Sequence, residues 1–190
     1  MFEMRLISAA FVATAVLSVA TPAQALTRQQ LDCPAKAVSP DLAHRLSVLI
    51  LDDNRKENEL EQQTASIDVA AAQCMKQLKV PAAQQEAYYD YARLSAIRAG
   101  FVRRITTAGL RPALLDQTFD LGPGRGNPDI TDLTDEQVER LLEALAKSGV
   151  KVEQVDEAIW PVVGGYLPLT SRVFQLEKQL NAPVPAAGGH

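Results

Sequence analysis

Cys33 and Cys74 are the only cysteines in the chain, and they stand 41 positions apart (74 less 33). Most of the interval, Ser39 to Pro81, reads as helix in two halves around the polar run Asp52-Asp53-Asn54-Arg55-Lys56-Glu57-Asn58-Glu59. An unbroken helix from Ser39 to Leu78 would be roughly 60 Å long, at about 1.5 Å per residue. A disulfide needs its two Cα atoms within about 7 Å, and the few residues from Ser39 back to Cys33 span only about 3.5 Å each. If the cysteines bond, the helix must reverse. The midpoint between them falls at Asp53-Asn54, residue types that bond their own backbone and favour turns. The spacing therefore predicts a helical hairpin clipped at its open end. The alternative is one long helix whose charged run faces water, with two buried free thiols.

The compartment decides between these, because disulfides persist where the surroundings are oxidising. Arg5, the apolar run Leu6 to Ala20 and the small-x-small triplet Ala23-Gln24-Ala25 read as a secretory signal peptide over residues 1–25. The apolar run is shorter than the roughly 20 residues of a membrane-spanning helix. Glu3 is unusual in such a leader, which makes Met4 a candidate start. Cleavage after Ala25 would leave 165 residues (190 less 25), enough for one domain with its own core. The net charge of −4 argues against a nucleic-acid partner, which wants a basic face. The expected location is periplasmic or secreted.

After a lead-in over Leu26 to Val38, with one helical turn at Thr27–Leu31 ending before Pro34, Ser39-Pro40-Asp41 starts a helix: cap, proline at the first position, acid in the first turn. Pro81 opens the next, Ala82 to Thr107, in which Tyr91, Leu94, Phe101, Val102 and Ile105 share a core-facing stripe. Gly100 is misplaced in a helix interior, so another backbone packs there or something binds. Gly109 is a stop, and a short helix with Leu114, Leu115 and Phe119 inward follows Pro112. Residues 121–133 are a Gly/Pro loop read as a flexible connector. Thr134 to Gln137 is a capping box for a helix closed by Gly149. A helix from Glu153 to Trp160, interrupted at Pro161 and Gly164-Gly165, precedes a last one at Ser171 to Leu180. The tail 182–190 reads as disordered. Together these predict an all-α bundle of about five or six helices in a single domain over 26–181, divided into a main bundle at 26–120, the loop at 121–133 and a C-terminal unit at 134–181.

Catalytic groups are few. His44 and His190 are the only histidines, so no histidine cluster is available for a metal and no cofactor is expected. Gly122 to Asn127 lacks the Lys-Ser/Thr of a P-loop and no strand precedes it. The best candidate binding surface is a second face of the Ala82–Thr107 helix: Tyr89, Arg93, Ile97, Gly100 and Arg104, with Tyr88, Arg98 and Arg103 beside it. Arginine forks grip carboxylates and phosphates, and tyrosine gives a rigid amphipathic contact. Arg93 and Arg104 are about 16 Å apart along the axis, too far to hold one small anion between them. The bland reading is a solvated arginine face. Trp160 to Leu167 is an apolar hinge or the mouth of a pocket, or plain core with a glycine kink.

Arg45-Leu46 followed by Asp52-Asp53-Asn54-Arg55 is faintly similar to the first arginine and the Asp-x-x-Arg-Glu of the exported all-helical chorismate mutases. The resemblance ends at Lys56, which stands where that family has Glu, and the family's Val-Ala-x-x-Lys is missing. It implies what an enzyme here would need: cations converging in a bundle core, with Arg45, Arg55, Arg93 or Arg104 as clamps on an anionic metabolite. The expected function is a non-catalytic binding or interaction module for an envelope protein or a small anionic or apolar ligand. The alternative is the small helical enzyme.

Overall fold

The computed structural model describes residues 25–56 and 58–182. Residues 1–24, Glu57 and residues 183–190 lie outside the described residues, and with them nearly all of the expected signal peptide and tail. Seven α-helices follow one another with no strand among the described residues. They are α1 (Arg28–Ala37), α2 (Pro40–Leu49), α3 (Glu59–Leu78), α4 (Gln85–Thr107), α5 (Pro112–Thr118), α6 (Asp135–Lys147) and α7 (Trp160–Asn181). Short 3-10 turns precede α4 and α7.

The reversal lies where the polar run stands: α2 ends at Leu49, α3 starts at Glu59, and the Asp52 side chain accepts from the Asn54 N–H at 2.9 Å. Cys33 and Cys74 are bonded, with Cα atoms 6.0 Å apart. Their bridge ties α1 to α3, and Ser39 caps α2 through the Leu42 N–H.

The count exceeds the five or six expected because the lead-in is a full helix. Thr27 and Gln30 form a capping box that starts α1, and the helix continues through Pro34. Proline has no N–H to give the carbonyl four residues back. The Tyr88 hydroxyl, on α4, donates to that carbonyl, Gln30 O, at 2.5 Å. Tyr88 is fully buried and Gln30 half-buried, so the bond supplies a donor where the helix has none.

Helix α4 is the axis of the bundle, packed against α1, α2, α3 and α7. Tyr91, Phe101 and Ile105 are buried as expected, but so are Tyr88, Ala92, Ala96, Ile97 and Gly100, whereas Leu94 and Val102 are only half-buried. A single inward stripe describes a helix with neighbours on one side, and α4 has them on several.

The expected break at Pro161 and Gly164-Gly165 is absent, and α7 runs unbroken from Trp160 to Asn181. Pro161 sits in the first turn, where an N–H has no intrahelical partner to lose. Burial of Val162, Val163, Tyr166, Leu167, Val173, Leu176 and Leu180 outweighs the poor helix propensity of Gly164, Gly165 and Pro168. Trp160 to Leu167 is thus mostly core. The segment expected as a helix from Glu153 is two 3-10 turns.

Residues 121–133 carry no helix, yet they are not a loose connector. Asn127, buried and at φ +47°, accepts from Gly122 N–H at 2.8 Å and donates to Gly122 O and Arg125 O at 3.0 Å each. Gln175 of α7 donates to Asn127 O at 3.1 Å, and Ser171 donates to Pro128 O. The loop is laced to α7 through its backbone.

Candidate functional site

The proposed face of α4 is largely spent on the fold itself. Arg93 grips Asp68 of α3 with both arms of its fork, at 2.6 and 2.7 Å, and that bond holds its guanidinium pKa above the ordinary arginine value. Arg98 donates to Asp116 at 3.1 Å, to the Tyr166 hydroxyl at 3.0 Å and to Thr170 at 3.2 Å. It also lies over the Tyr166 and Phe174 rings, 5.5 and 5.1 Å from their centroids. The Tyr166 hydroxyl closes the network on Asp116 at 2.6 Å, and burial is the main cause that raises its pKa. Tyr89 is half-buried against the core. Gly100 marks a close crossing: a Cβ there would fall 2.6 Å from the Ala43 carbonyl carbon and 2.7 Å from Ser47 Cβ. Another backbone does pack on it.

Arg104 differs from the other two arginines. It is half-buried in the last turn of α4, where a cation offsets the helix's terminal partial charge. Its Nη1 donates to Ser47 O of α2 at 2.8 Å. No carboxylate of the described residues lies within ion-pairing distance of it. Loss of water around it lowers its pKa from the ordinary arginine value, although a guanidinium starting so high stays charged at neutral pH.

Arg104 lines an open cleft of about 1010 Å³ at the end of the bundle. Two glycine stops shape it. Gly109, at φ +81°, turns the chain away after α4, and Gly149, at φ +85°, does so after α6. The turn at Gly149 brings Lys151 to the cleft, α2 supplies His44, and the 3-10 turn before α7 and the first turn of α7 supply an apolar floor of Ile159 and Val162. Arg103 stands at the rim, 3.8 Å from Asp41 in an ion pair too exposed to bind it strongly. Asp156 also reaches the rim, but its carboxylate is occupied capping its own 3-10 turn through the Ala158 N–H at 2.9 Å. The cleft thus gathers Arg103, Arg104, Lys151 and the imidazole of His44 against two acids, in a chain whose net charge is −4.

No family model, curated protein or solved structure matches the chain. Function must be inferred from its own residues. The four arginines named as clamps do not share one cavity: Arg45 is exposed on α2, Arg55 donates to Ile50 O and Asp52 O in the turn, Arg93 is on Asp68, and only Arg104 lines the cleft. Lys151 went unnoticed in the sequence because it stands 47 positions (151 less 104) from Arg104. Nothing in the residues between announces that two helix stops bring them to one place.

Proposed function

We propose that the protein is an exported, non-catalytic helical binding module that takes a small amphiphilic anion in the cleft between α2, α4 and the start of α7. Half-buried Arg104, without a carboxylate partner among the described residues, carries the reading. A cation that has lost part of its water gains most from an anion, because the attraction is strong where solvent is thin. The guanidinium fork offers paired donors to a carboxylate or phosphate, Lys151 and Arg103 add charge at the mouth, and Ile159 and Val162 suit an apolar body. A periplasmic or secreted location is supported by the leader pattern over residues 1–25 and by the Cys33–Cys74 bond.

The test is a thermal-shift comparison of octanoate and 1-naphthoate, which carry an apolar body, with citrate, which does not. A ligand at a hundred times its dissociation constant stabilises the fold by about 2.7 kcal/mol. Octanoate or naphthoate should raise the melting temperature of the wild type, and less so in the exposed-charge variants Arg103→Gln and Lys151→Gln. Arg104→Gln should abolish the rise. A rise that survives Arg104→Gln, or none with any of the three anions, refutes the reading.

A further inference from the structure

Beside the Gly149 turn, where Val150 borders the cleft as well, α6 buries only part of its apolar surface. Leu141 and Leu145 are inside, where α6 meets α5. Val138 and Leu142 are left 38% and 36% exposed, and they form one wall of a shallow groove of about 640 Å³. Val150 and Val152, half-buried beyond the Gly149 turn, form the other. Asp135, Glu139, Glu143 and Glu153 rim this apolar floor, and no lysine or arginine of the described residues lines it. Lys147 pairs with Glu143 at 2.6 Å from outside the groove.

We infer that this groove docks a basic amphipathic helix of a partner protein. Asp135, Val138, Glu139, Leu142 and Glu143 fall at i, i+3, i+4, i+7 and i+8, a single stripe along α6. A partner helix laid along the groove would place its own apolar stripe on Val138, Leu142, Val150 and Val152, with lysines and arginines over the acids on both sides. That is the helix-in-groove mode, with charge setting partner choice. The acidic rim decides against two other occupants. A second copy would bring the same acids face to face across a two-fold axis, and an anionic membrane surface would be repelled.

The probe is a fluorescein-labelled leucine–lysine peptide of about four helical turns, read by anisotropy on the intact protein at low salt, beside its leucine–glutamate counterpart. The leucine–lysine peptide should bind at least about tenfold more tightly. Binding should drop about tenfold both in Val138→Ser/Leu142→Ser and in Glu139→Lys/Glu143→Lys. The second variant changes only exposed charges, so it remains informative if the first is poorly folded. Glu59→Lys/Glu61→Lys on α3 and Arg104→Gln in the cleft should leave binding unchanged. Equal loss in the α3 variant would mean general attraction of a cation to an acidic protein and would overturn the proposal. So would binding indifferent to the α6 variants, or concentration-dependent dimerisation in sedimentation that the α6 variants abolish.

Discussion

The crossing of α2 and α4 at Gly100 gives the sharpest test of how the bundle is built. Replacing Gly100 by alanine adds one methyl group. In isolation this favours helix by about 1 kcal/mol. In the folded chain, the new Cβ would collide with the Ala43 carbonyl oxygen and lie 2.6 Å from its carbon, where ordinary contact begins at 3.4 Å. The two helices must part by at least about 0.8 Å (3.4 less 2.6) to clear the carbon, and further to clear the nearer oxygen, at a point where Leu46 and Ser47 are fully buried. Overpacking of this kind costs about 1–3 kcal/mol, and the upper end applies because the obstacle is backbone and cannot rotate aside. The net loss is then about 2 kcal/mol after the helix-propensity gain. With a urea dependence of about 2 kcal/mol per molar, the unfolding midpoint of the disulfide-intact protein should fall by about 1 M. Gly164→Ala is the control. It lies in α7 with nothing within 4 Å of the added methyl, so propensity alone acts and the midpoint should rise by about 0.5 M. An unchanged or raised midpoint for Gly100→Ala would refute the close crossing.

Other consequences follow from the same contacts. Closing a loop of 41 residues stabilises by about 4 kcal/mol on the chain-entropy account, so Cys33→Ser/Cys74→Ser should lower the urea midpoint by about 2 M, and reductant should do the same to the wild type. Tyr88→Phe removes the donor to Gln30 O, a loss of about 1 kcal/mol. In a Pro34→Ala background, where residue 34 again supplies an N–H, the same substitution should cost measurably less in a double-mutant cycle. Burial, reinforced by Tyr91, pushes the Tyr88 hydroxyl from 10.0 up to about 12, and Tyr166 is raised too. A raised pKa means that the folded state holds its proton when the unfolded chain has released it. The contribution is complete below about pH 10 and is lost as pH climbs from there through about 12. Alkaline titration of stability by circular dichroism should therefore show a decline beginning near pH 10, shallower in Tyr88→Phe.

What could be read from the chain was whatever depended on neighbours in sequence. The turn at Asp53-Asn54, the caps at Ser39 and Thr134 and the stops at Gly109 and Gly149 rest on local chemistry, and the pairing of the only two cysteines followed from the expected compartment. Gly100 was legible as an anomaly with two explanations, and only the position of Ala43 chooses between them. The misses have tertiary causes. Pro34 looked like a break because its repair comes from Tyr88, on α4. Pro161, Gly164 and Gly165 looked like a break because propensity was weighed without the apolar surface that a continuous α7 buries. The arginine face of α4 was visible as a stripe, but Asp68 on α3 and Asp116 on α5, which engage two of its members, could not be placed by spacing. Arg104 and, at the rim, Arg103 were left to line the cleft, in company with Lys151 and His44.

The most direct test of the cleft as a binding site is a backbone amide chemical-shift titration of the isotopically labelled protein with 1-naphthoate. Shifts should cluster at Thr107 to Gly109, Gly149 to Lys151 and Asp156 to Ile159, the segments around Arg104, and should vanish in Arg104→Gln while the rest of the spectrum is retained. Shifts centred elsewhere, or a spectrum unmoved at millimolar naphthoate, would contradict the assignment of this cleft as an anion site.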